Sequence, residues 1–219
     1  MTARQRFLAG GAAVVLALAG NCACAASAPA ALAARGPEAL VVNFGSATVT
    51  PIDLATGAAG AAVRVGRHPD AIVATHDGRT VYVANGGSGT VTPISVAAGP
   101  AIRVARNPVA LAMALDGRTV YVACETRGRG TVVPISTSTN RAGRLVRVGW
   151  DPVAIAVTPD GRTVLVADAG NPAPNLLTPI SARTGVEGKA IRLPGFLARG
   201  GDPDPASGTD RGQAGSCRA

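Results

Sequence analysis

Val81-Tyr82-Val83-Ala84-Asn85 is the stretch that decides the fold, because it recurs. Residues 120–124 read Val-Tyr-Val-Ala-Cys, residues 164–168 read Val-Leu-Val-Ala-Asp, and residues 39–43, Ala-Leu-Val-Val-Asn, fit the same frame. The four segments end at 43, 85, 124 and 168, so the copies lie 42, 39 and 44 residues apart. A period near 40 marks a propeller or another repeat array. Other elements keep the same phase. Asp-Gly-Arg-Thr stands before three of the segments, at 77–80, 116–119 and 160–163. A Pro-Ile pair follows each, at 51–52, 93–94, 134–135 and 179–180. Each full unit opens on proline, at Pro69, Pro108 and Pro152.

One unit translates into four short strands. Ala71–Thr75 alternates small and branched apolar residues and reads as the inner strand. Asp77-Gly78 is a hairpin turn, since glycine takes a positive φ without steric cost. Thr80–Ala84, rich in Val and Tyr, is the second strand. Gly86–Gly89 turns the chain, and because another strand follows, this glycine run is no phosphate loop. Thr90–Ser95 is the third strand, in which Pro93 withholds one backbone donor. Ala101–Ala105 is a short outer strand. No helical period appears. The expected class is all-β: four-stranded antiparallel blades, about four of them, in a partial or open arc. Small Ala and branched Val let neighbouring blades approach closely.

The boundaries follow. Residues 38–68 form a partial unit with no recognisable inner strand. Residues 69–107, 108–151 and 152–194 are full units, and 195–219 read as a Gly-, Asp- and Pro-rich disordered tail. Residues 1–25 have the three-part order of a secretory signal peptide: Arg4 and Arg6, an apolar stretch from Phe7 to Gly20, then small residues. That stretch falls short of the roughly 20 residues that span a bilayer, and no other segment is long and apolar enough. Ala23-Cys24-Ala25 favours cleavage after Ala25, with 26–37 as a linker. A lipoprotein attached through Cys22 is the rival reading. A secreted or cell-surface address is expected. There Cys124 and Cys217 meet an oxidising compartment; Cys217 sits in the tail, and two unpaired thiols are expected rather than a disulfide.

Composition narrows the function classes. The 219 residues carry a net charge of +8, with 3% aromatic side chains. The bias to Ala, Gly, Arg and Pro is that of a GC-rich genome, which weakens the charge as a sign of nucleic acid. The scarce aromatics leave few platforms for stacking bases. No nucleic-acid partner is expected.

Tyr82-Val83-Ala84-Asn85, with its looser copies and the Pro-Asp-Gly-Arg run at 159–162, resembles the YVTN-family β-propeller repeat of archaeal surface-layer and secreted bacterial proteins. The resemblance covers about residues 38–194. It implies a propeller fold and leaves function open, since related propellers include lactonases and redox-enzyme subunits. Complete rings of this type usually have seven blades. Three full units and one partial therefore imply a truncated chain, an open arc or a small ring. An open arc leaves blade faces and strand edges free for self-association.

In a propeller the blade-to-blade loops and the turns between second and third strands share one face, where ligand sites usually lie. Here that face carries Arg67, His68, Asn85, Asn107, Glu125, Trp150, Asp151 and Asp168. His68 is the best candidate for acid–base work, although its repeat equivalents, Asn107 and Asp151, suggest a polar turn position. His76, Asp77, Asp116 and Asp160 read as turn residues on the opposite face. Trp150 is either a binding aromatic or a plug between blades. Metal-ligand spacing and a haem-attachment motif are both lacking, so no metal or cofactor is expected. The expected function is an exported scaffold for an unknown protein, glycan or small-molecule ligand. The alternative is a lactonase-like hydrolase, built from Arg67, His68, Glu125 and Asp151, and it requires His68 and Glu125 to share a pocket.

Overall fold

A computed structural model describes residues 12–15, 38–95, 99–170 and 175–193. The expected linker, the tail, Cys217 and most of the leader lie outside the described residues. The described residues form four antiparallel sheets. The first blade contains β1 (Ala12–Val15), β2 (Glu38–Asn43), β3 (Thr48–Asp53) and β4 (Val63–Arg64). The second contains β5 (Pro69–Ala74), β6 (Val81–Asn85), β7 (Thr90–Ile94) and β8 (Ile102–Arg103). The third contains β9 (Pro108–Met113), β10 (Thr119–Thr126) and β11 (Arg129–Ser136), with β12 (Arg141–Ala142) and β13 (Val146–Trp150) end to end along the outer edge of β11. The fourth contains β14 (Pro152–Val157), β15 (Thr163–Asp168), β16 (Leu176–Ser181) and β17 (Ile191–Arg192).

Each blade is a meander whose neighbours in space are neighbours in sequence, so its turns carry the local instructions. The hairpin between first and second strands shows how. The Asp77 carboxylate accepts the Thr75 hydroxyl at 2.6 Å and the Arg79 N–H at 3.0 Å, while Gly78 takes φ 66°. These bonds hold the Asp77 carboxyl below its ordinary range, the Thr75 hydroxyl contributing most. The same turn recurs at Thr158, Asp160 and Gly161.

The structure fills the inner position that residues 38–68 lack. Ala12–Val15 pairs with β2, Val14 opposite Val41 and Ala12 opposite Asn43. This is the middle of the apolar stretch read as an export signal. A short Ala-Val run suits a strand, and the inner edge of β2 offers it unpaired backbone groups.

The blades stack around their inner strands: β1 touches β5, β5 touches β9, and β9 touches β14. Among the described residues no packed junction returns from β14 to β1, and the blades form an open arc of a β-propeller. Alternation along the second strand builds each junction, because successive side chains face opposite blades. Val81 and Val83 join Leu40, Val42 and Val49 between the first and second blades. Tyr82 and Ala84 join Val120, Val122 and Cys124 between the second and third. Tyr121 and Ala123 join Val164 and Val166 between the third and fourth. Thus the second strands of the two middle blades, β6 and β10, each belong to two cores at once.

Tyr82 is the largest fully buried side chain, and its hydroxyl donates to Asn140 Oδ1 of the next blade at 2.7 Å. Tyr82→Ala is expected to destabilise the chain by roughly 3–5 kcal/mol. Tyr82→Phe, which keeps the ring, should cost about 1 kcal/mol. Urea denaturation of the two variants measures both; equal losses would mean that the ring does not hold the junction.

Candidate functional site

The eight loop-face candidates divide among separate environments. His68, Asn107 and Asp151 share one backbone task. All three sit in the left-handed region, at φ 48°, 46° and 51°. Their carbonyls accept the N–H of the residue that follows the recurring five-residue segment: Gly86 at 2.8 Å, Glu125 at 3.0 Å and Ala169 at 2.8 Å. Each is thus a clamp between the blade's entry loop and its second turn. The His68 ring stacks on Phe44, with centroids 4.6 Å apart. Arg67 is held by Ser88 and Gly87: its N–H donates to Ser88 Oγ at 2.7 Å and its guanidinium to the Gly87 carbonyl at 3.3 Å. Glu125 accepts from Asn107 Nδ2 at 2.9 Å and from the Gly128 N–H at 3.2 Å. Among the described residues no hydrogen bond joins His68 to Glu125. Trp150 lies over the turn of its own blade, its ring under the Arg129 guanidinium at 5.3 Å.

Asn85 and Asp168 are fully buried. They end their strands on the same side as Val83 and Val166, so strand parity turns them inward. At this position Asn43 donates to Thr50 at 2.9 Å, Asn85 donates to Thr92 at 2.9 Å, and Asp168 accepts from Thr178 at 2.7 Å. In the third blade Cys124 and Val133 replace the polar pair. The covering residue changes with them. A Cβ on Gly66 would lie 2.7 Å from Asn85, and one on Gly149 would lie 2.6 Å from Asp168. Their equivalent over the smaller Cys124 is Ala105. Burial pushes the Cys124 thiol up to about 12, which removes it as a thiolate nucleophile. Among the described cysteines it is free.

On the opposite face a groove of about 710 Å³ opens between the third and fourth blades. Asp116, Asp160, Arg162 and Arg183 border it, with Tyr121, Ser181 and Leu115. At the junction between second and third blades this space is bridged. His76 Nε2 pairs with the Ala114 carbonyl at 3.0 Å and Tyr82 with Asn140, while on the third-blade side the Thr137 hydroxyl donates to the Gly117 carbonyl of its own blade at 2.9 Å. The equivalents in the next junction are Leu115, Gly185 and Ala182, which offer no such groups. Tyr121 is left with a 3.5 Å bond to the Ala182 carbonyl, and burial together with the nearby Asp116 pushes its phenol above the usual range. Asp116 and Asp160, expected as turn residues, border the groove, and the non-equivalence of His76 and Leu115 is the signal that marks it.

Among the described residues no group of three or more His, Cys, Asp or Glu is placed to share a metal ion, and no helix is long and apolar enough to cross a membrane. No family model and no curated protein sequence matches the chain. Solved structures do. Hydrazine synthase of Kuenenia stuttgartiensis superposes at TM-score 0.66 with 22% identity, over 71% of this chain and 46% of that one. A 6-phosphogluconolactonase-like protein of Bacteroides uniformis superposes at TM-score 0.60 with 16% identity, over 72% and 52%. A protein of unknown function from Desulfotomaculum acetoxidans does so at TM-score 0.63 with 14% identity, over 71% and 51%. The chain spans about half the length of these neighbours, and the likeness is one of fold.

Two outcomes test the interior positions. Gly66→Ala should destabilise the protein by roughly 1–3 kcal/mol through overpacking. In an Asn85→Cys/Thr92→Val background, which reproduces the third blade, most of that loss should vanish; additive losses in a double-mutant cycle would refute the size matching. Burial, reinforced by Glu187, pushes Asp168 up to about 6 against the Thr178 hydrogen bond. The folded state therefore holds this proton more tightly than the unfolded chain does. Its stabilising effect is complete below about pH 4 and is lost as pH rises to about 6. Asp168→Asn, the residue of the first two blades, should raise Tm at pH 7 and remove this part of the pH dependence in thermal melts.

Proposed function

We propose that the chain is an exported propeller of the YVTN repeat type that serves as a binding scaffold, with the groove between third and fourth blades as its ligand site. The repeat phase and the leader-like N-terminus support the family and the address. The observation that carries the binding role is the groove itself. Two carboxylates and two guanidiniums border one concavity on a rigid pair of sheets, beside the hydroxyls of Tyr121 and Ser181. Such a lining recognises a polar ligand by hydrogen bonds and charge. Acid–base chemistry has less support, because the groups that would perform it on the loop face are tied into turns. Glu125 is engaged by Asn107 and Gly128, and His68 lies against Phe44.

The lactonase-like reading keeps one specific support, the resemblance in fold to 6-phosphogluconolactonase-like proteins. The two readings separate by experiment. The purified chain is expected to leave 6-phosphogluconolactone at its spontaneous rate of hydrolysis. A thermal-shift screen against oligosaccharides and short peptides should find polar ligands whose affinity falls at least about tenfold, or about 1.4 kcal/mol, in Arg162→Ala/Arg183→Ala. Hydrolysis above background would favour the enzyme, and ligands indifferent to the two arginines would remove the groove from the proposal.

A further inference from the structure

The fourth blade exposes a face that the other junctions bury. Cross-strand pairing places Ala156 opposite Leu165, Ala154 opposite Ala167, Ala167 opposite Leu177, and Leu177 opposite Ile191. These six side chains share one face, because residues directly opposite in an antiparallel pair point the same way. All six are apolar. Four are half-buried, Ala156 is exposed, and Ile191 is 54% exposed. Their repeat equivalents in the third blade are Ala112, Tyr121, Ala110, Ala123, Val132 and Val146, every one packed against the fourth blade. Their equivalents in the second blade are Val73, Tyr82, Ala71, Ala84, Val91 and Ile102, packed against the third. Position by position, the face is that of a blade awaiting its successor.

The chain also carries the matching surface. In the second blade the side that receives a preceding blade is made by Val81, Val83 and Ile94, beside Thr92. Its counterpart in the first blade is Ala39, Val41 and Ile52, beside Thr50. Val41, Thr50 and Ile52 are only half-buried, and among the described residues no preceding blade covers them. The fourth described blade thus presents a donor face and the first an acceptor face of the same repeat.

We infer that the occupant is a second copy of this chain, joined head to tail at both ends in a two-fold ring of eight blades. The interface required continues one already formed three times within the chain. The arc also superposes on 46–52% of the length of its structural neighbours, so two copies supply roughly one such chain. A head-to-tail contact that closes after two copies leaves no blade face unpaired, whereas one that does not close yields filaments.

The test is the mass of the full chain in solution. Sedimentation equilibrium at micromolar concentration should give twice the 21.6 kDa of one chain. Leu165→Arg and Val41→Arg should each give monomers, since either change spoils both junctions of a symmetric pair. An equimolar mixture of the two should recover dimers, because one junction then joins two unaltered faces. A circular dichroism spectrum and a cooperative melt matching the unaltered chain show that each variant is folded. The unaltered chain running as a monomer, or as an open series of larger assemblies, overturns the proposal. So does a dimer that survives either substitution, or a mixture of folded variants that stays monomeric.

Discussion

The contact of one apolar sheet face with the next is the constraint on which everything else depends. A single four-stranded sheet of this length has two apolar faces and cannot cover either alone. The repeat solves this by giving every second strand two sets of side chains, one for each neighbour. Tyr82 with Ala84 and Val81 with Val83 lie in different cores although they alternate along four residues. Because the strands meet face to face, close approach matters as much as area, and alanine recurs wherever a tyrosine or leucine of the same face needs room.

The end of each second strand shows how finely this packing is matched. A side chain there points into the blade, under the entry loop. Where it is Asn or Asp, the loop passes over it with glycine and the third strand supplies threonine. Where it is cysteine, the loop carries alanine and the third strand valine. Volume and polarity change together across three elements, so one position cannot drift alone. The raised pKa of Asp168 follows from placing a charge where the other blades hold a neutral group.

Much of this was legible in the sequence, and the boundary of legibility is physical. The period, the three Asp-Gly hairpins and the strand positions were readable, since turns and alternation are local properties. Parity was readable too: Asn85 stands in phase with Val81 and Val83, which places it inside. Its polarity points instead to the loops, because polar residues at strand ends usually cap them. The groove was not legible from any single repeat. It arises from the difference between His76 with Asn140 in one junction and Leu115 with Gly185 in the next. The inner strand of the first blade escaped because Ala12–Val15 precedes its partner by a stretch longer than any other first-to-second-strand turn, and it lies inside a segment with the composition of an export signal.

If the proposed export leader is real, that last segment has two incompatible uses. A strand seated between β2 and the neighbouring inner strand β5 has its backbone committed to the sheet, and a processing enzyme reads its target as a free extended chain. On the proposed export reading, folding of the first blade and removal of the leader compete for the same four residues, and their order becomes a matter of timing. If the leader goes first, the inner edge of Glu38–Asn43 is bared as a vacancy for another strand. The earliest residues of this polypeptide then decide whether the arc begins with a complete blade or an open seam.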